Sequence, residues 1–182
     1  MKDNSLTQLK NIAAVTMAAA VIAVCAWITI PYTVPFTMQT FAVFLVLLAL
    51  GGRRGTASVF LYVLMGAVGL PVFSGFKGGF GVLLGSTGGY IIGFILMGLI
   101  YALMTGIFGN KLMIEILALV IGLIVCYAFG TVWFMTVYMR ETGPIGVMAV
   151  LGWCVFPFII PDLVKMAMAF FIAKRLRPVT GK

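Results

Sequence analysis

Six apolar stretches follow one another along this chain with only short interruptions, and that pattern restricts the fold more than any single motif. They cover about 9–30, 37–50, 56–70, 86–108, 112–139, and from about 145 to the basic stretch "AKRLRP". The breakers between them are "PYTVPFTMQ", "GGRRG", "PVFSGFKGGFG", "GNK" and "RETGP". An apolar run of ~20 residues matches the bilayer core, and in lipid its backbone polar groups must be satisfied within the segment, which means a helix. With 63% hydrophobic and 9% charged residues and a mean hydropathy of +1.21, the chain is poorer in charge than a soluble domain, where about a quarter is usual. The expected fold is therefore all-α, an integral membrane protein of six transmembrane helices forming one domain over residues 1–182.

The net charge of +8 raises the question of nucleic acid, but the basic residues sit singly or in small clusters between apolar runs, where they orient a membrane protein. With the N-terminus inside, Lys2, Lys10, Arg53, Arg54, Lys111, Lys174, Arg175, Arg177 and Lys182 fall on the cytoplasmic side, and only Lys77 and Arg140 fall outside. Nine against two predicts an N-in, C-in topology. The first apolar run is longer than the core of a signal peptide and reads as a retained span. There is no histidine, and Cys25, Cys126 and Cys154 lie inside apolar runs without metal-ligand spacing, as buried small hydrophobes would.

The second and third stretches are short. Fourteen or fifteen helical residues reach about 21–23 Å, against a hydrocarbon core of about 30 Å. Their shared turn, GGRRG, is held at the inner interface by Arg53 and Arg54, so their outer ends stop inside the bilayer. Irregular backbone survives at that depth only where it is packed in protein or lines a wet cavity. The sequence thus predicts an outward-facing pocket roofed by irregular, Pro-rich and Gly-rich outer loops.

The sixth stretch places two charges at that depth. In "FIIPDLVKMAMAFF", Asp162 and Lys165 stand three apart among apolar side chains, and burying unpaired charge there is costly. Pro161 is expected to begin a fresh helical stretch after an irregular "VFPFII", with Asp162 in its first turn, where the helix dipole favours an anion. Two readings stand: the pair neutralise each other at i,i+3, or they present an acceptor and a donor to a polar ligand. Thr37 and Gln39, in "PFTMQT", and Ser86, Thr87 and Tyr90, in "GSTGGY", lie where outer loops become helices and are candidates to converge on the same pocket. Gly85, Gly89 and Gly93 form a small-residue stripe suited to helix packing, and Trp27, Trp133 and Trp153 suit the interface or a pocket wall.

Several chemistries are excluded. The chain has no G-x-x-x-x-G-K-[ST] for ATP, no H-E-x-x-H, no histidine to activate a serine and no acidic pair at metal spacing. Glu115, four residues after Lys111, is expected to form a helix-end ion pair with it. The residues that remain do not suit catalysis, so an enzyme is not expected, and no metal or cofactor is implied.

In length, span number and order of motifs, the whole chain resembles the BioY family, the biotin-specific substrate-binding components of energy-coupling factor transporters. The residues that carry the resemblance are "PFTMQT" (35–40), "GLPVF" (69–73) with the glycines that follow, "GSTGGY" (85–90) and "PDLVK" (161–165). Ser86 stands where that family usually has Pro, and Ile160-Pro161 where it has Pro-Gly. The resemblance implies a multi-pass protein of a prokaryotic cell membrane that captures biotin at its outer face. It also implies a transmembrane coupling subunit and two cytoplasmic ATPases as partners. An A-x-x-x-A pattern on the first helix contacts the coupling subunit in related components; Ala14 and Ala18 fit it, Ala19 and Ala23 are a second register, and packing within the bundle is the competing reading. Biotin needs an acceptor for its ureido N–H groups, a donor for the ureido carbonyl and donors for its carboxylate, and Asp162, Lys165 and the loop groups supply such a set. Whether Lys165 meets the carbonyl or the carboxylate stays open at this point. The alternatives are a binding component for another vitamin, a proton-coupled secondary transporter using Asp162, and a structural subunit without a ligand.

Overall fold

The structure, a computed structural model, describes residues 2–180, with side chains described over 5–177. Lys182, expected on the cytoplasmic side, and the side chain of Lys2 lie outside the described residues. Helix α1 (Lys2–Trp27) is followed by a two-stranded antiparallel ribbon, β1 (Thr29–Ile30) and β2 (Phe36–Thr37), in which Thr29 faces Thr37 and Ile30 faces Phe36. Then come α2 (Gln39–Ala67), a 3-10 turn (Ser74–Phe76), α3 (Phe80–Leu84), α4 (Gly88–Phe108), α5 (Leu112–Glu141), α6 (Val147–Cys154) and α7 (Phe156–Thr180).

Helix α2 is two arms. Gly51 sits at φ 81° and ψ 175°, a backbone region that costs a side-chain-bearing residue dearly and glycine little, and the chain reverses there. A Cβ on Gly55 would stand 2.9 Å from Leu47 Cα, whereas a straight helix would hold residues eight apart at about 12 Å. Arms 39–50 and 52–67 therefore run back along each other, as the two short stretches around GGRRG predict. Among the described residues five helices are long and apolar enough to cross a membrane, and the reversal at Gly51 divides one of them, α2, into two arms.

The arms of α2 form the centre of the bundle, with Ala42, Val43, Phe44, Leu47, Leu48, Val59 and Tyr62 buried in one core cluster. They pack against α1, α4 and α7. The inward face of α1 is Ala18, Ala19, Ile22, Ala23 and Ala26, and the four alanines on it let the backbones approach. Helices α4 and α5 form the other close pair: a Cβ on Gly93 would stand 2.7 Å from Cys126 Sγ, and one on Gly89 would stand 2.3 Å from Trp133 Cβ. Gly89 and Gly93 thus serve helix packing, whereas Gly85, expected in the same stripe, ends α3 and meets only the Gly81 and Val82 carbonyls of that helix; Cys126 and Cys154 are buried and free, with Cys25 half-buried.

One end of the bundle carries most of the charge. Arg54 Nη1 donates to Asn11 Oδ1 at 3.2 Å, and Arg177 Nε donates to the Leu48 carbonyl at 3.3 Å. The carboxylate of Glu115, fully buried, pairs with Arg177 and not with Lys111 as expected. The correction has a plain reason: the last turn of α7 returns beside the first turn of α5, and a guanidinium there is a better partner for a buried carboxylate than a lysine on the exposed side of the helix end. These contacts gather the start of α1, the turn of α2, the start of α5 and the end of α7 at one end, opposite the loops 28–38 and 68–87.

The outer loops are more ordered than expected, with the ribbon, the 3-10 turn and α3 inside them. The expectation for "VFPFII" is also corrected. The break falls at Val155 (φ −125°, ψ −58°), and helix α7 begins at Phe156, so Pro157 lies in its first turn and Asp162 lies well past it. Proline costs nothing at a helix start, where the amide would be unpaired; Pro161, farther in, removes the bond its N–H would have made to the Pro157 carbonyl.

Candidate functional site

Between the beginnings of α2 and α4, the middle of α5 and the outer half of α7 lies a cavity of about 370 Å³. It is within the size range of small-molecule sites, about 300–1,000 Å³. The ribbon and the segment from Phe73 to Gly85 roof it. Thr37, Gln39, Ser86, Thr87, Tyr90, Asp162 and Lys165, which come from three separate parts of the chain, all line it. Phe73, Phe94, Phe158, Val34 and Leu123 supply apolar wall.

The charged centre is compact. Lys165 Nζ donates to Asp162 Oδ1 at 2.8 Å, and the two residues are 4% and 2% exposed. One helical turn sets that contact, because side chains three apart share a face. Tyr127 Oη, from α5, donates to Asp162 Oδ2 at 2.6 Å. The Lys165 ammonium also stands 4.2 Å from the ring centroid of Phe36, a cation–π contact from the ribbon. Asp162 thus has a partner on each oxygen, and its carboxylate still has lone pairs that a ligand N–H can use.

Gln39 lies at the start of α2, 5% exposed, and its Nε2 is buried with no acceptor among the described residues. A buried donor without an acceptor is costly unless a ligand supplies one. Thr37 Oγ1 accepts the backbone N–H of Gln39 at 3.2 Å, which uses one of the main-chain donors expected to face a ligand at the start of α2. Tyr90 and Thr131 share a hydrogen bond between their hydroxyls at 3.3 Å, and Tyr90 lines the cavity. Trp133 Nε1 donates to the Gly85 carbonyl at 3.0 Å and anchors the turn that carries Ser86 and Thr87. Trp27 Nε1 donates to the Pro71 carbonyl at 2.9 Å and its ring stacks on Phe76, which fastens the second outer loop to the end of α1.

Three further residues belong to the site, Tyr127 and Lys77 in its lining and Phe36 through its ring against Lys165. Tyr127 lies mid-helix in an apolar run, and its hydroxyl at the depth of Asp162 was the available signal. Phe36 sits inside "PFTMQT", but nothing in a sequence marks a ring that meets a cation from another helix. Lys77, which in the sequence marks only an outer loop, lines the cavity. On α1, Ala18, Ala19 and Ala23 are buried in the bundle, and Ala14 is half-buried against the same cluster. Both registers of the alanine pattern thus take part in intramolecular packing. Among the described residues no group of three His, Cys, Asp or Glu side chains is placed to hold a metal ion.

A multi-pass helical membrane protein with a charged, ligand-sized cavity in one half of the bundle is the class these features define. The chain belongs to the BioY family, whose profile matches residues 1–182. It is 42% identical over 162 residues to the biotin transporter BioY of Thermotoga maritima, covering 87% of this chain and 90% of that protein. It is 39% identical over 169 residues to the probable biotin transporter BioY of Pyrococcus horikoshii, covering 92% and 96%. Its fold matches the crystal structure of the S-component for biotin from an ECF-type ABC transporter, with a TM-score of 0.80 at 24% identity over 94% of this chain and 93% of that one.

Proposed function

We propose that this protein captures biotin at the outer face of a prokaryotic cell membrane, as the membrane-embedded binding component of an energy-coupling factor transporter. The names of its relatives support this reading, and so does the single observation that carries the site: a buried Asp162–Lys165 ion pair forming part of a cavity wall within the membrane. A carboxylate that retains lone pairs accepts the ureido N–H groups. Lys165 Nζ and Gln39 Nε2 are donors for the ureido carbonyl, and the aromatic wall takes the fused rings. Thr37, Ser86, Thr87 and Tyr90 complete the lining.

The sequence carries no nucleotide-binding motif, so energy comes from partners: a transmembrane coupling subunit and two cytoplasmic ATPases. The positive-inside distribution puts the end bearing Arg53, Lys111 and Arg177 on the cytoplasmic side, where those ATPases stand. Ala14 and the exposed face of α1 around it, with Ala18 holding that helix to the bundle, are the contact offered to the coupling subunit.

Calorimetry on the detergent-purified protein tests the proposal. Saturable binding of biotin with one site per chain is expected, and uptake by cells should require co-expression of a coupling module. Absence of heat and of thermal stabilisation at millimolar biotin overturns it.

A further inference from the structure

The cavity is not electrically balanced. Asp162 and Lys165 cancel, but Lys77 also lines the cavity, from the exposed loop at its mouth. The whole chain has only four acidic residues, Asp3, Glu115, Glu141 and Asp162. Asp162 is held by Lys165, Glu115 by Arg177 at the opposite end, and Asp3 belongs to the start of α1 at that same end. Glu141 ends α5, directly after Arg140. Among the described residues no carboxylate lies within ion-pairing distance of Lys77. The cavity therefore carries one net positive charge, and its centre of positive charge is displaced from the buried pair toward the mouth.

Lys77 is also held in place. Phe73 N donates to the Lys77 carbonyl at 2.9 Å, closing the loop across the 3-10 turn. Phe76, next to Lys77, has a positive φ of 57°, a backbone state that a bulky residue adopts only when its surroundings enforce it; its ring stacks on Trp27 at 4.9 Å. A long cationic side chain on a fastened loop is a defined donor, where one on a free loop would be a diffuse charge.

We propose that Lys77 is the carboxylate-recognising residue of the site: it binds the anionic tail of the ligand at the mouth and so fixes the ligand with its neutral polar head against Asp162 and Lys165. This rests on the reading of the ligand as biotin, a monoanion whose charge lies at the opposite end from its ureido group. Lys165, engaged by Asp162 and the Phe36 ring, is thereby assigned to the ureido end. The loop lysine makes the site selective for a free acid over its neutral derivatives.

The test compares biotin with its uncharged primary amide by calorimetry on wild type, Lys77→Met, Lys77→Arg and Lys165→Met. Wild type should prefer biotin over the amide by roughly fivefold, the scale of a partly exposed ion pair. Lys77→Met should lose that preference through weaker biotin binding, with amide binding unchanged, and Lys77→Arg should restore it. Raising ionic strength should weaken biotin binding in wild type and leave Lys77→Met nearly insensitive. An unchanged preference in Lys77→Met, or equal weakening toward both ligands, overturns the proposal. Loss of the preference in Lys165→Met alone overturns it too, by placing the carboxylate at the inner wall. Failure of wild type to bind either ligand is separate: that outcome removes the biotin reading itself, and this inference with it.

Discussion

Removing the two buried charges one at a time and then together separates a ligand site from a structural ion pair. At 2.8 Å and an effective dielectric near 20, the Lys165–Asp162 attraction is about 6 kcal/mol. Desolvation costs several kcal/mol for each ion, so the pair contributes little net stability by itself. Breaking it is another matter. Lys165→Met leaves the Asp162 carboxylate buried with only the Tyr127 hydroxyl as donor, and removing one partner of a buried pair costs roughly 3–5 kcal/mol. Asp162→Asn keeps an acceptor oxygen beside Lys165, and the Phe36 ring still stabilises the ammonium by up to ~2 kcal/mol. Thermal stability, read by size-exclusion after heating, should therefore fall more in Lys165→Met than in Asp162→Asn. The double variant should recover most of it, because no buried charge is left unpaired. Biotin affinity should follow a different order: each single change loses a hydrogen bond to a charged group, about 1.5–3 kcal/mol, or tenfold to more than a hundredfold, and the double variant regains nothing. A double variant that folds and binds biotin with near-wild-type Kd refutes the reasoning, since the charges would then have existed only to neutralise each other.

The remaining predictions concern the scaffold and its orientation. Tyr127→Phe removes the donor to Asp162 Oδ2 and should weaken biotin binding severalfold by calorimetry with little loss of stability; an unchanged Kd would show that the hydroxyl does not set the carboxylate's geometry. Gly93→Leu places side-chain carbon where a Cβ alone would meet Cys126 Sγ at 2.7 Å, so it should lower the melting temperature of the purified protein. A melting temperature equal to wild type means that α4 and α5 do not pack as closely as described. In a background lacking Cys25, Cys126 and Cys154, Arg53→Cys, on the exposed turn of α2, should react with an impermeant maleimide only from the cytoplasmic side. Thr142→Cys, after α5, should react only from outside, and labelling of both from one side would contradict the N-in, C-in assignment.

What residue order alone determined here is whatever depends on local chemistry and length. Continuous apolar runs of span length in lipid satisfy their backbone as helices, so most helix positions followed directly, and the shortness of the stretches flanking Gly51 announced a hairpin and a cavity beyond its outer ends. Asp162 and Lys165 were legible because charge among apolar residues is costly enough to need a reason. Tertiary structure decided which polar groups meet. The donor that Asp162 takes from Tyr127 is 35 residues away, and the guanidinium that Glu115 takes from Arg177 is 62 away, which is why the nearer Lys111 was the wrong partner. The prolines misled for a related reason. Proline weakens a helix locally, but α7 is packed along α2, and that packing carries the helix through Pro161. Lys77 is the sharpest case: in sequence it is one basic residue in a glycine-rich loop, and only the return of that loop over the beginnings of α2 and α4 turns it toward a cavity that already holds a balanced pair.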